Sequence, residues 1–332
     1  MNVPYVVGPW VRGERFYGRS DLLREALHGP RDRLWLVGMR RVGKTSLLRE
    51  VERLAGDGPG PFLPVVWDLQ GSDEPDELDL GLHEALIDVE PALAAAGVGL
   101  PKPGPASATL AGLAGELGRH GRRLLLLCDE AEDLFALLRR HPERLGSLES
   151  AWNESGTRVV LASSVRLAGS STSGPDHRLL AAFGAPLWIG PLEDEEARRL
   201  LRQENLPAGR RPDLAEAAVD LLTTRCGGHP FLLQLGAKRA IELGNAQEAC
   251  EGLARDPTVT RLCDVDLGLL GDADRELLAG IASPSAGDAT CVAERIARLR
   301  ALGLVRSGAG GRPEPGSWFL GRHLAAAARP RS

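Results

Sequence analysis

Eight consecutive residues, Gly38-Met39-Arg40-Arg41-Val42-Gly43-Lys44-Thr45, have the types and spacing to hold the phosphates of a nucleotide. They complete a G-x-x-x-x-G-K-[ST] phosphate-binding loop. Glycines let the backbone wrap closely around phosphate oxygens, so that successive N–H groups point inward. Lys44 would reach the β- and γ-phosphates, and the Thr45 hydroxyl would hold Mg²⁺. The whole run from Gly38 through Met39, Arg40, Arg41, Val42, Gly43, Lys44 and Thr45 to Ser46 is therefore a candidate nucleotide contact. Only three of the 40 basic residues are lysine: Lys44, Lys102 and Lys238. Arginine has taken nearly every other basic position, yet the loop keeps a compact ammonium, which fits between phosphates where a planar fork does not.

The loop needs a strand before it and a helix after it. Leu34-Trp35-Leu36-Val37 reads as a buried strand, and Ser46 to Val51 as the start of a helix whose N-terminus adds partial positive charge. Arg122 to Glu130 is the second informative stretch. Four leucines and Cys128 predict a strand buried on both faces, as in a parallel sheet. It ends in Asp129 and Glu130, at the carboxyl end where open α/β sheets place their ligand groups. Asp129 is placed to hold Mg²⁺ and Glu130 to polarise an attacking water. Pro64 to Leu69, Val159 to Arg166 and Pro186 to Gly190 read as further strands. Ser163 or Ser164 could bond the γ-phosphate or the attacking water, or could simply end a strand in a turn. Arg166 is a weaker candidate for contacting phosphate charge.

The remaining chain is mostly helical in pattern. Helices are expected over Asp21–His28, Glu77–Ala95, Ala108–His120, Asp194–Gln203, Asp213–Cys226, Pro230–Leu243, Asp272–Ala282 and Asp288–Leu302. Residues 1–32 either pack on the core as an arm or fold over a nucleotide base. Gly227-Gly228-His229-Pro230 reads as one helix ending and the next beginning. Near the C-terminus, two helices lead into a hairpin tipped by Gly308 to Gly311, with Trp318-Phe319-Leu320 as the expected returning strand. That is the order of a winged helix. Its nine arginines and eight acids over Cys263–Ser332 make the unit nearly neutral, so a solvated face or a protein contact is favoured over DNA reading.

Composition fits a globular protein: 332 residues, 43% hydrophobic, 26% charged, net charge −5. There is no global basic field to attract nucleic acid. No apolar run approaches a membrane span of roughly 18 residues, and no signal peptide is apparent. The five cysteines, Cys128, Cys226, Cys250, Cys263 and Cys291, lack C-x-x-C spacing, so neither zinc nor a disulfide framework is expected. A reducing cytoplasm is the simple expectation.

Taken in order, these stretches resemble the STAND and archaeal-type ATPases of the AAA+-like P-loop class. GMRRVGKTSLL is similar to that family's loop, and LLLLCDEAEDL to its magnesium-binding strand. FYGR at 16–19 resembles the box that helps enclose the adenine, which implies roles for Tyr17 and Arg19. VVLASS resembles the sensor strand, implying Ser163. PLEDEEARRLL resembles the start of the helical lid. GGHP resembles the lid's G-x-P motif, whose proline packs near the adenine, implying Pro230. The terminal unit is similar to the family's winged helix. Three departures from the family are expected: no clear second-sensor arginine in the lid, no repeat of 20 to 50 residues, and no further domain after the winged helix.

The expected fold is α/β, a P-loop parallel sheet with flanking helices, followed by a helical lid and a C-terminal winged helix. Expected boundaries are 1–30 for the arm, 31–191 for the core, 192–255 for the lid and 262–328 for the winged helix. The expected function is an ATP-binding, slowly hydrolysing switch in signalling or assembly control. Its ligands would be ATP or ADP with Mg²⁺, and its partner another protein or a second copy. The catalytic set would be Glu130, Lys44 and Ser163, with Thr45 and Asp129 on the metal. Two other readings stand beside it. One is a DNA-acting helper ATPase of the transposition or replication type. The other is a non-hydrolysing ATP-bound interaction module, against which Glu130 argues.

Overall fold

The computed structural model describes residues 4–58, 60–154, 156–170, 175–282 and 289–327. Apolar runs decide where the sheet lies. Strands β1 (Arg33–Gly38), β2 (Phe62–Asp68), β3 (Arg123–Asp129), β4 (Thr157–Ser163) and β5 (Leu187–Ile189) form one parallel sheet, in the order β2-β3-β4-β1-β5. Leu124 to Cys128 in β3 are fully buried, because helices cover both faces. Register sets the strand ends side by side: Asp68 of β2 pairs with Asp129 of β3, and Val37 of β1 with Ser163 of β4. β4 stops at Ser163, so Ser164 and Arg166 lie beyond the strand they were expected to share.

The sheet helices are α1 (Ser20–His28), α2 (Lys44–Asp57), α3 (Pro75–Asp88), α4 (Glu90–Ala95) and α5 (Ala106–Arg119). They are followed by α6 (Ala131–Arg140), α7 (Glu143–Trp152), α8 (Val165–Ser170) and α9 (Pro175–Ala181). The single helix expected over Glu77–Ala95 is two. Pro91 falls in the first turn of α4, where a missing N–H is tolerated, but it would break a continuous helix.

After the sheet come α10 (Asp194–Arg202), α11 (Glu216–Cys226), α12 (Pro230–Leu243), α13 (Ala246–Leu253) and α14 (Pro257–Gly268). The last elements are α15 (Asp272–Ala282), α16 (Ala289–Ala301), the antiparallel pair β6 (Val305–Ser307) and β7 (Pro313–Pro315), and α17 (Trp318–Ala327). Helix, helix and hairpin follow the winged-helix order. Asp288, the expected first residue of α16, lies outside the described residues. The returning strand is Pro313–Pro315, and Trp318-Phe319-Leu320 opens α17 instead. The Ser317 hydroxyl accepts the Leu320 N–H at 3.1 Å and so caps that helix.

The chain condenses into two compact units. One comprises Ser20–Val37 and Lys44–Leu187; the other comprises Met1–Arg19, Gly38–Gly43 and Trp188–Ser332. In the second unit, Tyr5 and Tyr17 of the N-terminal arm share a core with Leu201 of α10, Leu222 of α11, Leu233 of α12 and Phe319 of α17. The arm is fastened there by polar bonds as well. The Tyr5 hydroxyl donates to the Leu201 carbonyl, and the Val6 N–H donates to Gln234 Oε1 at 2.8 Å.

Candidate functional site

Within the sheet unit, four predicted residues meet at the ends of β1 and β3. Lys44 and Thr45 open α2, and both belong to its first turn. Lys44 is buried to 7% exposure, where an ammonium needs partners. Asp129 ends β3 at 5% exposure. Burial pushes its carboxyl above the ordinary carboxylate range, and the Asp68 charge adds to that. A hydrogen bond with the Thr45 hydroxyl, another from the Glu130 N–H at 3.1 Å, and the Lys44 charge pull the other way. A desolvated carboxylate joined to a hydroxyl is the donor set that a hard divalent cation takes.

Glu130 follows in the left-handed region, at φ 50°. That backbone costs a residue with a Cβ roughly 1 kcal/mol. The turn redirects the chain from β3 into α6, whose first helical residue is Ala131. Two acids in the first turn of α6, Glu132 and Asp133, tie neighbouring loops to this point. Glu132 accepts the Ser164 N–H just past β4, and Asp133 accepts the Gly71 N–H at 2.8 Å just past β2. Sequence reasoning passed over both, although the acidic run after β3 was their signal. Ser163 is the last residue of β4. Its hydroxyl accepts Trp35 Nε1–H at 2.9 Å and donates to the Ser164 carbonyl, with no exposed surface. The bond from Trp35 links β1 to β4.

In the other unit, the loop Gly38–Gly43 lies against Ile189 at the end of β5 and Phe231 at the start of α12. Met39 and Val42 bury their side chains, and Arg40 and Arg41 are exposed. Gly43 has φ 103°, with open space where a Cβ would stand. Gly38 has no such room: a Cβ would lie 2.9 Å from the Ile189 carbonyl oxygen. Arg19, also left-handed at φ 65°, donates to the Pro191 carbonyl at 3.0 Å, to the Gly190 carbonyl, and more weakly to the Val42 carbonyl at 3.5 Å. Burial pushes its pKa down to about 10, opposed by Glu196 and Glu193, so it stays charged at neutral pH. Its guanidinium thus fastens the loop to the chain leaving β5.

The box at 16–19 and the start of α10 meet in space. At Gly18, φ 71°, an added Cβ would overlap the Glu196 carboxylate. Tyr17 lies in the lid core at 6% exposure, and its hydroxyl accepts the Asn205 N–H at 3.2 Å. Pro230 opens α12 at its first helical position. Beside it, Phe231 receives the Arg41 guanidinium over its ring, 4.4 Å from the centroid. His229 is buried at both ring nitrogens, neither with a hydrogen bond of regular geometry. Burial pushes its pKa down to about 4, so the ring is neutral at pH 7; the backbone of Arg40 acts in the opposite sense. Phe231 did not stand out in the sequence, and His229 did so only as part of the turn before Pro230, because their partners lie near residue 40.

Among solved structures, the chain is similar to the Walker-type ATPase PABY2304 of Pyrococcus abyssi. The two are 16% identical over 96% of this chain and 99% of that one, with a TM-score of 0.62. The fold is that of a P-loop NTPase. Other similar structures include the Aeropyrum pernix ORC2 protein in ADPNP and ADP complexes, 16% identical over 97% of this chain and 96% of that one, TM-score 0.49. Pyrobaculum aerophilum Cdc6p is 15% identical over 97% and 98%, TM-score 0.47. No protein-family model matches this chain, and no curated protein does. Within the P-loop fold, Lys44, Thr45 and Asp129 sit where strand ends gather. No helix among the described residues is long and apolar enough to cross a membrane.

Proposed function

We propose that this chain binds ATP with Mg²⁺, hydrolyses it slowly, and works as a switch in signalling or assembly control. The observation that carries the reading is the buried Asp129 carboxyl, bonded to the Thr45 hydroxyl beside Lys44 at the head of α2. Those groups fit a metal-bound triphosphate: Thr45 and Asp129 would hold Mg²⁺, which when bound offsets phosphate charge. Lys44 and the N–H groups of the loop bind and orient the phosphates. Glu130, held by its own turn just past the strand, takes a proton from water. Pro230 is a proposed contact of the base.

The switch reading draws support from the loop's company. Gly38–Gly43 belongs to the same compact unit as α10 to α12, and Arg19 and Phe231 touch it directly. A loop that tightens around phosphate acts at once on those helices. The DNA-acting alternative finds less support. Arg298 of α16 pairs with Asp274, and Arg306 of β6 bonds the Thr224 carbonyl and Glu314. Calorimetry with ATP and Mg²⁺, paired with a phosphate-release assay, tests the proposal. Micromolar binding with fewer than about one turnover per second is the expected result. Binding without turnover under any condition would favour the non-hydrolysing module.

A further inference from the structure

The geometry points to Arg41 and Phe231 as a pair that positions the phosphate loop from the lid side. Arg41 stands at φ 57°, in a backbone region that a residue with a Cβ rarely adopts. Something must hold it there. Its side chain is exposed, and its guanidinium lies 4.4 Å from the centroid of Phe231. A guanidinium over an aromatic face within about 6 Å is attracted by the ring quadrupole. Phe231 is itself fixed: it is 6% exposed, in the first turn of α12, and packed into the lid core with Tyr17 and Leu192. The fixed partner is therefore the ring, and the held partner is the loop. The Val42 carbonyl next to it also receives a weak bond from Arg19, at 3.5 Å.

The consequence reaches function. Amides that bind phosphate must be aimed before it arrives, and residue 41 lies in the middle of the loop that aims them. The stack is then part of the loop's readiness for an anion, and linkage makes the effect mutual. If the stack raises nucleotide affinity by some factor, bound nucleotide strengthens the stack by the same factor. α12 thereby senses occupancy of the loop through one aromatic ring. This rests on the loop binding nucleotide, as proposed above, so its test needs one readout that does not.

The experiment uses the full chain and four variants: Phe231→Leu, Phe231→Trp, Arg41→Gly, and Arg41→Gly combined with Phe231→Leu. Hydrogen exchange of the nucleotide-free proteins reads the loop directly. Phe231→Leu and Arg41→Gly should speed exchange at residues 39–43. Exchange in the latter half of α12 should match wild type, showing that the lid is folded. Titration with a fluorescent N-methylanthraniloyl ATP and Mg²⁺ reads affinity. Each of those two variants should bind about three- to tenfold more weakly. Phe231→Trp keeps an aromatic face and should stay within about twofold of wild type. The double variant should be no weaker than the weaker single one, since both remove one interaction. Loop exchange unchanged by Phe231→Leu, or full additivity in the double variant, overturns the pairing. Arg41→Gly leaves Phe231 in place, so it decides the matter if Phe231→Leu unfolds the lid. Should wild type fail to bind the probe, the nucleotide reading fails, and loop exchange still decides the pairing.

Discussion

Asp129 ends β3 with its carboxyl almost wholly out of water, and the folded chain carries a penalty for ionising it. Folding raises its pKa above the ordinary 3.8, so the folded state binds more protons than the unfolded one just above that value. The stability it contributes therefore falls as pH rises from 3.8 through the raised pKa, and then stays level. Asp129→Asn removes the ionisation. The nucleotide-free variant should melt higher than wild type at pH 7, with a flatter pH dependence in that window, while losing Mg²⁺-dependent hydrolysis. Thermal unfolding across pH checks this; a lower melting temperature at every pH would mean that the carboxylate is stabilising. Glu130→Gln changes only the carboxylate at an unusual backbone position. It should keep ATP affinity within about twofold and lower turnover by roughly 10²-fold or more. A normal steady-state rate would move the water-activating role elsewhere, with nearby Glu132 the first candidate. At this scale the places of Lys44, Thr45 and Asp129 at the strand ends were legible, because each lies in a short local motif. The fastening role of Arg19 was not, since its carbonyl partners Gly190 and Pro191 lie more than 170 residues away.

Among the elements, the turn between α11 and α12 is tightly constrained. Gly227 caps α11 at φ 58°, and a Cβ there would sit 1.8 Å from the Gly316 carbonyl oxygen. Gly228, φ 72°, would meet the Leu192 carbonyl oxygen at 2.2 Å, while its own carbonyl accepts the Leu192 N–H at 2.8 Å. Backbone packs on backbone here. Gly227→Ala combines a strained φ with a clash, and should destabilise the unit by about 2–4 kcal/mol. Accelerated hydrogen exchange across α11 and α12 would report it, and wild-type exchange there would show that the turn can shift aside. Long elements were easy to read: the four leucines of β3 leave little choice. Short apolar runs were not. Trp318-Phe319-Leu320 fits a strand or a helix equally by pattern, and the Ser317 cap decided for α17. The Pro91 break was visible in principle, yet periodicity on either side concealed it.

For the whole molecule, the order of strands, lid motifs and hairpin followed from the chain, because each element carries its own pattern. The grouping of Gly38–Gly43 with the lid did not, since it depends on Arg19, Phe231 and Val42 meeting in space. If that grouping serves a switch, ATP must favour one state of the lid by differential affinity. ATP with Mg²⁺ should then slow hydrogen exchange over residues 192–260, and Pro230→Ala should reduce that protection while weakening binding modestly. An unchanged lid in wild type would leave a P-loop domain with passive appendages. All of this depends on the loop holding phosphate. The most direct measurement is calorimetric titration of ATP with Mg²⁺ into wild type and Lys44→Ala. The account predicts saturable one-site binding by wild type and a loss of at least about 100-fold, near 2.7 kcal/mol, in the variant. Equal affinity in the two proteins would contradict it.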